Sequence, residues 1–245
     1  MSATIQLKTL GWGESHLALQ FDDFQRLFPA IKVGYRAHSP EVWVKFTAEA
    51  ETRELALAEL APVVLEARNR IGDTIFGQDD DELPRMVHQK LIASRLQLAT
   101  AESCTGGLIS QLLTANAGSS AYFRGGVVAY SNDLKRSLLG LSEEILKEQG
   151  AVSRGAADAM CRGALEHLGS DLALSVTGVA GPDGGTPDKP VGLVYLGIAW
   201  KERNTVQSQV IERKFRGDRE RVQKAAAYTA LEMLRRRLAA APALD

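Results

Sequence analysis

The stretch LQLATAESCTGGLISQLLTA, Leu96 to Ala115, decides the fold. An apolar strand-like run from Leu96 to Ala101 feeds a turn rich in glycine and hydroxyl groups, and apolar residues then recur at helical spacing from about Thr105 to Ala115. That is a strand–turn–helix unit, and the pattern repeats outward from it. A helix is expected upstream near Leu83 to Ser94. Downstream come a strand, Gly125 to Tyr130, short helices before Leu139 and Gly150, and a helix opened by Ser153. The apolar run LALSVTG follows Asp171, then a Gly/Pro loop, the strand VGLVYLGIAW, a more polar strand near Val206 to Phe215, and a long helix from Asp218 whose Arg/Ala-rich tail is expected to fray. Such alternation predicts a three-layer α/β domain with helices on both faces of a sheet.

The first 76 or so residues read differently, as strand, helix, strand, strand, helix, strand. Leu17, Phe21, Phe24 and Phe28 keep helical spacing until Pro29, and a long amphipathic run covers Thr52 to Ile71. The polar, acidic stretch Gly77 to Glu82 has the composition of a domain boundary. The expected organisation is therefore a small α+β domain, 1–80, and a larger α/β domain, 81–245.

Composition excludes several classes. Hydrophobic residues make up 45% and charged residues 24% of the 245, with 29 Lys and Arg against 30 Asp and Glu. That is a globular composition without the basic excess of a nucleic-acid binder. Two cysteines, Cys104 and Cys161, do not make a disulfide framework, which points to a reducing cytoplasm. The N-terminus lacks the basic and apolar regions of a signal peptide, and no apolar run suits a bilayer, so no membrane partner is expected. His16, His38, His88 and His167 are scattered, and no metal is expected.

Three segments sit where apolar strands end, the place where open α/β sheets bind ligands. In AESCTGG, Ala101 to Gly107, backbone N–H groups beside Ser103 and Thr105 could receive an anion or a developing oxyanion, with Gly106 and Gly107 allowing close approach. The structural alternative is a helix N-cap. In GGVVAYSNDLK, Gly125 to Lys135, Ser131 and Asn132 are cap candidates and Lys135 falls in the first turn of a helix, where burial and the dipole would lower its pKa. Exposed, it would be a solvated cation. The spacing from Tyr130 to Lys135 is not that of short-chain dehydrogenases, and no GxGxxG accompanies it. The third segment, TGVAGPDGGTPDKPVG, Thr177 to Gly192, lacks a P-loop lysine, and a flexible surface loop is its alternative. Cys104 has no nearby histidine to activate it and reads as packing. The basic run Arg213 to Lys224 reads as a solvated face, from which Arg216 is retained as a phosphate candidate.

Taken in order, AESCTGG, GGVVAYSNDLK, GAVS (Gly150 to Ser153), TGVAGPDGGTPDKPVG and FRGDR (Phe215 to Arg219) resemble the C-terminal domain of CinA proteins, of the PncC type of nicotinamide-nucleotide amidase, over about Leu83 to Leu238. The first 76 or so residues resemble the KH-type linker domain that precedes that amidase in full-length CinA. They contain no Gly-x-x-Gly loop with basic neighbours, so RNA binding does not follow. The molybdopterin-binding-like domain that opens full-length CinA is missing from this sequence, and its ADP-ribose hydrolysis is not carried over.

The resemblance implies deamidation of nicotinamide mononucleotide to nicotinate mononucleotide and ammonia, without a cofactor, by a homodimer. It implies Ser103 as nucleophile, Lys135 as base and Tyr130 as the orienting or relaying group. N–H groups from Cys104 to Gly106 would receive the oxyanion. Thr105, Gly107, Asn132, Thr177, Gly178, Ala180, Gly181 and Arg216 complete the expected substrate contacts. Two other classes compete: a nucleotide-binding or scaffold module without turnover, and an ATP-dependent enzyme using the Gly-rich loop.

Overall fold

A computed structural model describes residues 1–240. The chain divides into two compact units, Met1–Leu83 and the remainder from Pro84.

In the first unit, β1 (Ser2–Leu10), β2 (Lys32–His38), β3 (Glu41–Glu49) and β4 (Ile75–Gln78) form an antiparallel sheet in the order β2-β3-β1-β4. Period-2 alternation turns Leu7, Val44 and Phe46 inward against Leu60 and Val63 of α3 (Arg53–Ile71). The single helix expected over Leu17 to Phe28 is instead two, α1 (Glu14–Gln20) and α2 (Phe24–Leu27). Arg70 of α3 explains the break. Its guanidinium donates to the Gln20 carbonyl at 2.8 Å and to the Asp23 carboxylate at 2.5 Å, so a tertiary partner takes the groups that a continuous helix would carry past one another.

From Pro84 on, α4 (Leu83–Ser94) opens the second unit. Its five-stranded sheet has the order β6-β5-β7-β8-β9, from β5 (Leu98–Glu102), β6 (Phe123–Val128), β7 (Leu172–Gly178), β8 (Leu193–Glu202) and β9 (Thr205–Lys214). The three central and edge strands β6, β5 and β7 are parallel, and β8 and β9 are antiparallel additions. Between them run α5 (Leu108–Thr114), α6 (Asn132–Leu139), α7 (Glu143–Glu148), α8 (Arg154–His167) and α9 (Arg219–Ala240). Ala99, Ala101, Ala173 and Ala199 present small side chains to Met160, Cys161 and Ala164 of α8 on one face. Thr100 points the other way, to Ser110 of α5 at 2.8 Å, and α9 packs with α5 on that second face. The mixed α/β sheet is thus covered on both sides.

Register fixes the functional edge. Glu102 is level with Val128 and with Val176, Gly178 with Val194, and Leu193 with Lys214. The chain therefore leaves β5, β6, β7 and β9 at one edge, and the segments 103–107, 129–135, 179–192 and 215–219 converge there. Gly192, at φ +92°, holds this edge together: its N–H donates to Val179 and its carbonyl accepts from Phe215, whose oxygen would lie 2.1 Å from any added Cβ. The tail expected to fray is helical as far as Ala240, and its last residues, 241–245, lie outside the described residues.

Candidate active site

The turn after β5 corrects the expected helix start. α5 begins at Leu108 rather than near Thr105, with Gly107 at φ +102° in the cap position. Ser103 caps nothing. The first N–H groups of the helix go to a residue that sequence reasoning passed over, Glu102, the last residue of β5. Its fully buried carboxylate accepts from the N–H groups of Gly107, Ile109 and Ser110 at 3.0, 3.1 and 2.8 Å and from the Ser110 hydroxyl at 2.7 Å. An acid closing an otherwise apolar strand just before a helix was the available signal. Glu102→Gln turns an NH2 toward donors, so it should lower stability by about 2 to 3 kcal/mol in urea denaturation. A loss below about 0.5 kcal/mol would show that the four bonds carry no net stabilisation.

With capping assigned to Glu102, the Ser103 turn has its own pattern. Ser103 N–H donates across to the Val176 carbonyl of β7 at 3.0 Å, and Gly106 N–H donates back to the Ser103 carbonyl at 3.1 Å. Gly106 is thereby removed from the expected set of oxyanion donors, Cys104 to Gly106. Among the described residues no other residue accepts from the N–H groups of Cys104 and Thr105, and the Cys104 N–H faces its own sulfur. Ser103 is 8% exposed, and the Thr105 hydroxyl is buried without a partner among the described residues. A cleft of about 590 Å³ opens beside the turn, between Thr105, Gly106 and Gly107 and the Gln223, Lys224 and Tyr228 side of α9.

Lys135 lies in the first turn of α6, and its side chain is only 2% exposed. Ser131, not Asn132, caps that helix, accepting from Leu134 N–H at 3.2 Å. Burial pushes the Lys135 ammonium below the ordinary lysine value, against a smaller opposing pull from the Cys104 sulfur, and it forms no ion pair among the described residues. Cys104 is shifted the other way. Burial pushes its thiol up to about 12, although the charges of Lys135 and Arg219 act to lower it while Glu102 adds to the rise. These couplings bring Lys135, Glu102 and Arg219 into electrostatic range of the Ser103–Cys104 turn. Burial outweighs them and leaves Cys104 a protonated thiol, unsuited to attack.

Tyr130, 60% exposed just beyond β6, accepts a 2.7 Å hydrogen bond from Arg219, which also donates to the Gly181 carbonyl at 2.8 Å. Arg219 is the basic residue that joins the segments. Arg216, the one retained from the sequence, is exposed and its side chain makes no hydrogen bond among the described residues, because the glycine at 217 turns the chain before α9 begins and it is the first helical turn that faces the edge. Gln223, one turn along α9, donates to the Cys104 carbonyl at 2.8 Å. Thr177 is buried and donates its hydroxyl proton to the Ala151 carbonyl at 2.7 Å, tying the GAVS segment to the end of β7. Gly178 packs tightly, since a Cβ there would lie 2.7 Å from the Leu193 carbonyl oxygen. Ala180 is buried, Gly181 stands at φ +81° with its carbonyl taken by Arg219, and Asn132 is exposed at the start of α6.

The fold and its edge define a mixed α/β protein with a serine turn, a buried amine and, among the described residues, two N–H donors without an acceptor outside their own residue, all at one edge of the sheet. The chain belongs to the CinA family: residues 80–238 match the CinA C-terminal domain, and residues 5–77 match the damage-inducible protein CinA KH domain. It is 42% identical over 238 residues to a CinA-like protein of Geobacter sulfurreducens, covering 97% of this chain and 57% of that one. A CinA-like protein of Myxococcus xanthus is 43% identical over 237 residues, covering 97% and 56%. The chain thus spans little more than half the length of these curated relatives. Among solved structures, the competence damage-inducible protein A of Klebsiella pneumoniae matches with a TM-score of 0.60 and 38% identity, covering 65% of this chain and 97% of that one. A competence/damage inducible protein of Agrobacterium tumefaciens matches with a TM-score of 0.58 and 45% identity, covering 62% and 91%. No helix among the described residues is long and apolar enough to cross a membrane.

Proposed function

We propose that this chain is an amidohydrolase that converts nicotinamide mononucleotide to nicotinate mononucleotide and ammonia, with Ser103 as nucleophile and Lys135 as base. The observation that carries this reading is the buried Lys135, with its pKa lowered by desolvation and, among the described residues, no carboxylate to hold its proton, in range of the serine turn. The choice of substrate rests on the family resemblance of the five ordered motifs.

In the proposed reaction neutral Lys135 takes the Ser103 hydroxyl proton as the oxygen attacks the carboxamide carbon. The negative charge that forms on the carboxamide oxygen is received by the Cys104 and Thr105 N–H groups. Collapse breaks the C–N bond, and the proton held by Lys135 passes to the departing nitrogen, releasing ammonia and leaving an ester on Ser103. Water, deprotonated by Lys135, then hydrolyses the ester to the carboxylate. Tyr130, held by Arg219, relays protons or positions the amide, and Arg219 and the loop from Gly178 to Gly181 take the nucleotide side of the substrate. Thr105, Asn132 and Thr177 retain proposed contacts there, Thr177 through the main chain that its hydroxyl anchors.

Ammonia release from nicotinamide mononucleotide by the purified protein, without ATP, is the test. Release no faster than in buffer, with the nucleotide still bound, would return the chain to the class of binding modules. All proposed site residues lie in the second unit, so a fragment beginning at Asp80 should fold and keep kcat within about threefold of the full chain. An insoluble or inactive fragment would show that the first unit completes the site. Light scattering on the full chain tests the homodimer that the resemblance implies.

A further inference from the structure

We infer that Gln223 of α9 is a positioning residue that aims the Thr105 N–H of the oxyanion site, an inference that rests on Ser103 being the nucleophile. In a trans peptide the carbonyl and the following N–H point in opposite directions, so fixing one fixes the other. The two peptides that follow the Ser103 and Cys104 α-carbons are each pinned by the carbonyl. Gly106 N–H holds the Ser103 carbonyl at 3.1 Å, which directs the Cys104 N–H away from the interior of the turn. The Cys104 carbonyl is held from outside the turn, by Gln223 Nε2 at 2.8 Å, and this directs the Thr105 N–H to the side opposite α9.

Among the described residues these two N–H groups of the turn meet no acceptor on any other residue, the Cys104 N–H facing only its own sulfur, whereas Ser103, Gly106, Gly107, Ile109 and Ser110 all donate elsewhere. Backbone donors left unpaired in a buried turn are costly unless a ligand meets them, which marks the pair as a receptor for negative charge. The first peptide is oriented by the local turn alone. The second depends on a side chain more than a hundred residues away in sequence, so α9 acts on the reacting centre through it. Arg219 lies four residues earlier on the same face of α9 and ties down Tyr130 and Gly181, so one helical stripe sets both the donor and the tyrosine. Gln223 itself is half-buried and touches the turn at its carbonyl side, away from the donors it aims.

The test compares Gln223→Met, which keeps the length and loses the donor, with Gln223→Glu, which sets a carboxylate against the carbonyl, and Gln223→Lys, which restores an N–H donor. Ser103→Ala is run beside them. On nicotinamide mononucleotide, Gln223→Met should lose about 10- to 100-fold in kcat with KM within about twofold, because a misaimed donor is felt in the transition state more than in the bound substrate. Gln223→Glu should lose more, Gln223→Lys should recover a large part, and the acid limb set by Lys135 should not move. An unchanged kcat for Gln223→Met, a loss confined to KM, or a loss that merely follows a fall in melting temperature and is not recovered by Gln223→Lys would each overturn the inference. An active Ser103→Ala would instead overturn the nucleophile on which it rests.

Discussion

Ser103→Ala should abolish ammonia release from nicotinamide mononucleotide, a loss of at least about a thousandfold in kcat, while the melting temperature changes little. The fold tolerates the change because the serine hydroxyl caps no helix: the N–H groups at the start of α5 are held by Glu102, and the Ser103 backbone bonds to Val176 and Gly106 survive in alanine. The paired control is Cys104→Ser, which should stay substantially active. A thiol raised to about 12 by burial is protonated at neutral pH and offers no thiolate. Retention of more than about a tenth of wild-type turnover by Ser103→Ala, or inactivation by Cys104→Ser without loss of fold, would move the nucleophile elsewhere.

Lys135→Arg should be almost as inactive, since arginine keeps the charge but cannot give up its proton in the working range. The sign of the pH effect follows from burial. Desolvation disfavours the charged ammonium, so the folded-state pKa of Lys135 lies below 10.5, and the neutral base is populated at lower pH than for a free lysine. Activity should rise with pH through that lowered value and fall on its acid side. Stability has a linked signature. Between the lowered folded pKa and the ordinary value the unfolded chain binds more protons, so this residue makes stability increase with pH across that window. Lys135→Met should remove that slope and melt no lower than wild type at neutral pH, while also being inactive. An arginine variant with substantial turnover would leave Lys135 as an electrostatic contact and transfer the base role to Tyr130 or to water.

Periodicity and punctuation alone determined the order of strands and helices, the change of pattern after the acidic stretch near Asp80, and the three hydroxyl- and glycine-rich segments that follow apolar strands. They suffice because each depends on neighbours within a few residues: alternation at period 2, recurrence at 3.6, and glycine or proline where the chain must turn. The tertiary structure decided what depends on partners distant in sequence. Arg70 split the first helix by reaching Gln20 and Asp23. Glu102, delivered by β5, took the cap that Ser103 would otherwise have been assigned, and so freed the serine from a structural role. Arg219 and Gln223, one turn apart on α9, reach the edge where Arg216, which precedes the helix and the turn at Gly217, does not, because helix phase and not local charge sets which side chains face the turn. The burial of Lys135 belongs to the same category. Its immediate neighbours, Leu134 and Arg136, are both exposed, and only the packed fold around α6 removes the water that would have kept it an ordinary cation.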